Sequence, residues 1–167
     1  MSVIAVRKHE SGYTMSADSI TIHGWNTKDN GMLTKHVKLV NVNGMVLGSS
    51  GSVEETSLFS IFLETHQPEE ADKLSVVRVL SDFSKWKESL TGDRKVEDHY
   101  LLGFKGAVYR IMGFCVMEVN EFDAIGYGYR EALTALALGH STEKAIQVAC
   151  ELSAYCSLPV HTVRKNR

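Results

Sequence analysis

No apolar run in this 167-residue chain approaches the ~20 residues of a membrane span, so a spanning helix is excluded. The N-terminus lacks a basic region followed by an apolar stretch, and a secretory leader is not expected. Cysteine is scarce. Cys115, Cys150 and Cys156 are odd in number, lie in apolar segments and show no C-x-x-C spacing. They read as buried thiols of a cytoplasmic protein, not as disulfides or zinc ligands. An excess of charge of one sign is also lacking. A net charge of −2 implies neither nucleic acid nor an anionic membrane as partner. The basic end Arg164-Lys165-Asn166-Arg167 is too short to alter that and reads as a solvated terminus.

Several motifs are missing as well. His9, His23, His36, His66, His99, His140 and His161 are scattered without metal-ligand spacing, so neither a metal nor a cofactor is expected. Gly48-Ser49-Ser50-Gly51 misses the G-x-S-x-G elbow of a serine–histidine hydrolase. Gly126-Tyr127-Gly128 does not continue as G-x-G-x-x-G, which leaves a dinucleotide site unsupported. Tyr13, Trp25, Trp86 and Tyr109 read as core or interface aromatics. No internal repeat is visible.

What is present is an ordinary globular composition, 44% hydrophobic and 23% charged, at a length that suits one domain over 1–167. Two rounds of strands followed by helices fill it. Alternating runs at 3–7 and 13–17 flank a turn and predict a hairpin. Residues 25–31 are polar and predict a surface loop. Runs at 37–42 and 45–48 flank Asn43-Gly44, a strong two-residue hairpin signal. Ser52-Val53-Glu54-Glu55 is a capping box, after which Leu58, Phe59, Phe62 and Leu63 fall at helical spacing. A second helix carries Leu74, Val77, Leu80, Phe83 and Trp86. The next round predicts strands at 100–104 and 107–111 and near 115–119, helices at 129–138 and 142–153, and a last strand at 160–163. Segregated strand and helix blocks give an α+β class, and two sheets that each need cover suggest a four-layer αββα sandwich.

Four features carry chemistry. Ser2 becomes the N-terminal residue once Met1 is removed, and a free α-amine titrates near neutral pH, about 7.7–8.0, where it can serve as a base. Asp18 closes a strand. Lys38 sits in His36-Val37-Lys38-Leu39-Val40, where alternation places it opposite Val37 and Leu39, on a face that is solvated by default. Gly48 and Gly51 lead into a helix N-terminus, whose free N–H groups are the materials of an oxyanion hole.

In order and spacing these residues resemble the proteasome-like N-terminal-nucleophile hydrolases: HslV, proteasome β subunits and smaller bacterial and phage relatives. The resemblance covers nearly the whole chain. It rests on Met1-Ser2-Val3-Ile4-Ala5, Ala17-Asp18-Ser19, and Lys38 followed ten residues on by Gly48-x-x-Gly51. It continues in Ala124-Ile125-Gly126-Tyr127-Gly128 and Ala154-Tyr155-Cys156. It implies the αββα fold and a peptidase in which Ser2 attacks and its α-amine takes the proton. Lys38 would favour the alkoxide, Asp18 would hold Lys38, and the Gly51 N–H would stabilise the oxyanion. Ser49 and Val53 would flank a substrate pocket. A ring or similar homo-oligomer acting on polypeptide follows, and an ATP-driven unfoldase partner follows by analogy.

Three positions depart from the family pattern. Tyr127 stands where a serine is usual, Ser153 where an aspartate is usual, and Cys156-Ser157-Leu158 replaces a Gly-Gly turn. These changes suggest intrusion of Tyr127 beside Ser2 and a less well oriented α-amine. They supply the rival reading, a catalytically silent member of the fold that serves as an assembly or binding subunit.

Overall fold

The computed structural model describes residues 2–23, 26–29 and 37–166. Strand β1 (Val3–His9) is the centre of the first sheet, paired on one side with β2 (Gly12–Ala17) and on the other with β10 (Phe122–Gly126). β11 (His161–Asn166) adds to β2, giving the antiparallel order β10-β1-β2-β11. The second sheet runs β5 (Leu39–Val42), β6 (Met45–Ser50), β7 (His99–Phe104), β8 (Ala107–Met112) and β9 (Cys115–Glu118), all antiparallel. Its hairpins turn on Asn43-Gly44 and Lys105-Gly106, each pair at positive φ, the twist that matches two-residue turns to right-handed strands.

Helices cover both outer faces. α1 (Val53–Leu63) and α2 (Lys73–Thr91) lie on the second sheet, and α3 (Tyr129–Ala137) and α4 (Thr142–Leu152) on the first. Three apolar clusters fill the three spaces between the four layers. Phe59, Phe83 and Tyr100 pack between α1, α2 and the second sheet, and Ile4, Met15 and Leu101 between the sheets. Val3, Ala132 and Ile146 pack under α3 and α4. The architecture is the expected αββα sandwich. Gly103 makes the sheet contact close, since a Cβ there would fall 2.3 Å from the Tyr13 ring.

Several local expectations are corrected. The polar segment expected as a loop contains β4 (Asn26–Asp29), which pairs with β3 (Ile20–His23), while Trp25 and His36 lie outside the described residues. β10 is a strand that the reading of the sequence did not include; its partner lies more than a hundred residues away. The basic end is not frayed, because Arg164, Lys165 and Asn166 pair with β2, although Arg164 and Asn166 stay exposed; Arg167 lies outside the described residues. In α2 the buried stripe is Val76, Val79, Leu80 and Phe83, while Leu74 points to solvent. Cys115 is exposed and Cys150 half-buried, so only Cys156 is a buried thiol. Tyr13 and Tyr109 are core residues, and Trp86 packs against the α1–α2 cluster.

Candidate functional site

At one end of the first sheet β1 begins beside the end of β2. Asp18 follows β2 directly, and its amide donates to the Val3 carbonyl at 3.2 Å. The side chain turns inward, fully buried, and each oxygen is occupied. Oδ1 accepts from the Val3 N–H at 2.9 Å and from Lys38 Nζ at 2.7 Å. Oδ2 accepts the Ser157 N–H at 3.2 Å. The Cys156-Ser157-Leu158 departure therefore costs Asp18 nothing, because this bond uses backbone alone.

Lys38 corrects the expectation from alternation. It lies one residue ahead of β5 and is only 5% exposed, not on a solvated face. Burial pulls its pKa below the ordinary lysine value, opposed by the charge and hydrogen bond of Asp18. Its carbonyl accepts the Ser49 N–H at 3.2 Å, which ties the ion pair to the end of β6 and the turn that carries Gly51.

Ser2 is buried, and its carbonyl receives the Gly128 N–H at 3.3 Å. Both glycines of Gly126-Tyr127-Gly128 are required by this approach. A Cβ on Gly126, at φ +94°, would fall 2.2 Å from the Ser2 carbonyl oxygen and 3.1 Å from Ser50 Oγ. One on Gly128 would meet Cys156 Sγ at 2.7 Å and Val3 Cβ at 3.1 Å. Tyr127 between them is 63% exposed and packs on Tyr155, with ring centroids 4.9 Å apart. It turns away from the interior, contrary to the expected intrusion. Ser153 caps the end of α4, where its Oγ accepts the Tyr155 N–H at 3.2 Å.

The turn from β6 into α1 places Ser49 inside, half-buries Ser50 and exposes Gly51, Ser52 and Val53. Thus Ser2, Asp18 and Lys38 come together through Val3 and the ion pair, and Gly51 is linked to them through Ser49. Of the two residues expected to flank a pocket, Val53 faces solvent and Ser49 is buried. Cys150 and Cys156 lie within electrostatic reach of the Asp18–Lys38 pair. Burial pushes their thiols up to about 12 and about 11, so they stay neutral and are poor nucleophiles.

The reading of the sequence missed two carboxylates beneath the turn. Glu55 appeared only as a capping-box residue and Asp98 not at all, yet both are buried. The only available signal was negative: Val96-Glu97-Asp98-His99 puts charge directly against the start of an apolar strand.

No family model matches the sequence, and no curated protein matches it. Solved structures do match in shape. BPH from Thiobacillus denitrificans, in complex with epoxomicin, superposes with a TM-score of 0.86 at 16% identity over 96% of each chain. HslV from Trypanosoma brucei gives 0.75 at 18% identity, over 96% of this chain and 97% of that one. Anbu, an ancestral beta-subunit from Yersinia bercovieri, gives 0.71 at 15% identity, over 96% of this chain and 79% of that one. The chain has the proteasome-like N-terminal-nucleophile hydrolase fold.

Proposed function

We propose that this protein is a proteasome-like peptidase that uses Ser2 as an N-terminal nucleophile within a homo-oligomer. The observation that carries the reading is the shared carboxylate oxygen. Asp18 Oδ1 receives both the N–H of Val3, next in chain to Ser2, and the buried Lys38 ammonium. A buried cation fixed beside the N-terminal backbone has a structural cost, and it supplies the charge that an attacking alkoxide needs.

In the reaction, Ser2 Oγ attacks the peptide carbonyl while its proton passes to the Ser2 α-amine, directly or through water. The Gly51 N–H donates to the oxyanion. Collapse breaks the C–N bond, the leaving amine takes the proton, and water hydrolyses the ester by the same route in reverse. The Lys38 charge favours both the alkoxide and the neutral α-amine. Removal of Met1 is a requirement, because a retained Met1 turns the Ser2 nitrogen into an amide that cannot act as base.

The test begins with intact mass, to establish a Ser2 N-terminus. A panel of fluorogenic peptides is then offered to Met1-free wild type, Ser2→Ala and Lys38→Ala. Turnover in the wild type and its loss in both variants is expected, since loss of one relay member costs orders of magnitude. Undiminished turnover in Ser2→Ala would sink the mechanism. Epoxomicin, present in the matching BPH structure, is a second probe: it should bind Met1-free wild type and not Ser2→Ala. A silent assembly subunit is the other reading, favoured by Ser153, whose hydroxyl serves the Tyr155 amide. Wild-type protein that carries Ser2 at its N-terminus, yet turns nothing over and binds no epoxomicin, would establish that reading.

A further inference from the structure

The Gly51 turn rests on a carboxylate that the proposed mechanism does not use. Only half of the capping box forms. Ser52 Oγ accepts the N–H groups of Glu54 and Glu55 at 3.2 and 3.4 Å, but the Glu55 side chain does not return the bond. It turns inward instead. Its Oε1 accepts from the Glu97 and Asp98 amides and the Tyr100 hydroxyl, and its Oε2 from Lys87 Nζ at 2.8 Å. The Ser52 N–H that a complete box would give to Glu55 goes to Asp98 Oδ1 at 2.6 Å. Asp98 Oδ2 accepts from the Thr56 hydroxyl at 3.1 Å.

Gly51 is pressed onto the same group. A Cβ there would fall 1.8 Å from Asp98 Oδ1, and its φ of +156° is one that side chains rarely adopt. The peptide before Gly51 is held from one side, because Ser50 pairs with His99 in the ladder. The peptide after it is held from the other side by the Ser52–Asp98 bond. The Gly51 N–H lies in the first of these peptide planes, and the Ser52–Asp98 bond holds the second, so the turn that follows the N–H does not rotate about Gly51.

We propose that Asp98 is a positioning residue: it fixes the Gly51–Ser52 turn so that the Gly51 N–H points where the oxyanion forms. The inference rests on the peptidase reading given above. Asp98 acts through two hydrogen bonds, and an asparagine can make both. Its carbonyl oxygen accepts the Ser52 N–H and its amide donates to Thr56 Oγ. Glu55, itself held by Lys87 and Tyr100, stands behind Asp98 and accepts its backbone N–H at 2.9 Å.

Asp98→Ala, Asp98→Asn and Thr56→Val are compared with wild type as Met1-free protein, in two measurements. The first is hydrogen–deuterium exchange of the segment 48–56. Asp98→Ala is expected to speed exchange there and Asp98→Asn to match wild type. The second is peptide hydrolysis. Asp98→Ala should lower kcat about 10²-fold, as a misplaced group does, with KM little changed, while Asp98→Asn restores kcat. Thr56→Val, which removes one of the two bonds, should fall between, and it carries the test where Asp98→Ala does not fold. Wild-type kcat in folded Asp98→Ala, or Asp98→Asn as impaired as Asp98→Ala, overturns the proposal. A wild type that hydrolyses nothing removes the peptidase reading instead. Exchange then decides on its own, and an unchanged 48–56 segment in Asp98→Ala overturns the positioning role.

Discussion

At the scale of single residues, the Asp18 carboxylate joins three chain segments that are remote in sequence. It binds Val3, Lys38 and Ser157, so removing it leaves a buried ammonium, a buried amide and a half-buried amide without this acceptor. Asp18→Ala should cost about 3–5 kcal/mol at neutral pH, the range for breaking one side of a buried pair. The pH dependence has a definite sign. Burial already lowers the Lys38 pKa, and Asp18 supplies the influences that oppose this. Without Asp18 the value falls further. A group with a lowered folded pKa loses stability as pH falls through that value, in a window below the ordinary lysine pKa of about 10.4. The Asp18→Ala deficit should therefore shrink between pH 7 and pH 9.5 in urea unfolding, and a deficit independent of pH would rule out this account. Little of this was legible from local sequence. Alternation sent Lys38 to a solvated face because its partner lies 20 positions away. Only the order of Ser2, Asp18, Lys38 and Gly51, taken together, pointed to a site.

At the scale of elements, legibility follows the range of the interaction that decides the element. The Asn43-Gly44 and Lys105-Gly106 hairpins and the start of α1 are set by neighbours in sequence, and all appear where they were expected. β10 and the extension of β11 are set by β1 and β2, and the local pattern missed them. The same distinction separates two glycines. Gly92 ends α2 at φ +75° with open space where a Cβ would stand, whereas Gly103 lies in β7 against the Tyr13 ring. Gly92→Ala should cost about 1 kcal/mol through left-handed strain alone. Gly103→Ala has no φ problem but overpacks the space between the sheets, and about 3 kcal/mol is expected. Adding Tyr13→Leu should recover part of the second loss and none of the first, measured as a double-mutant cycle in urea. Equal costs at the two positions would show that the sheets can part to admit a methyl group.

At the scale of the whole molecule, the proposed self-association needs apolar surface that folding leaves over. The apolar positions of α2 cannot provide it. Val76, Val79, Leu80 and Phe83 are spent on the core, and Leu74 and Leu90 are what remains outside. Elsewhere the larger surplus lies along the cover of the first sheet. Leu138 and Leu152 are 74% and 71% exposed and line a cavity of about 310 Å³ between α3 and α4. Tyr127, Tyr155 and Leu158 follow on the same C-terminal part of the chain. Single exposed apolar residues are normal on any protein, so the test must read mass rather than composition. Light scattering should return a multiple of the 18.5 kDa chain mass. Since association stabilises only the folded state, Tm should also rise with protein concentration. A mass near 18.5 kDa together with a concentration-independent Tm would make the chain a monomer. Peptide hydrolysis, if present, would then have to be complete within a single sandwich.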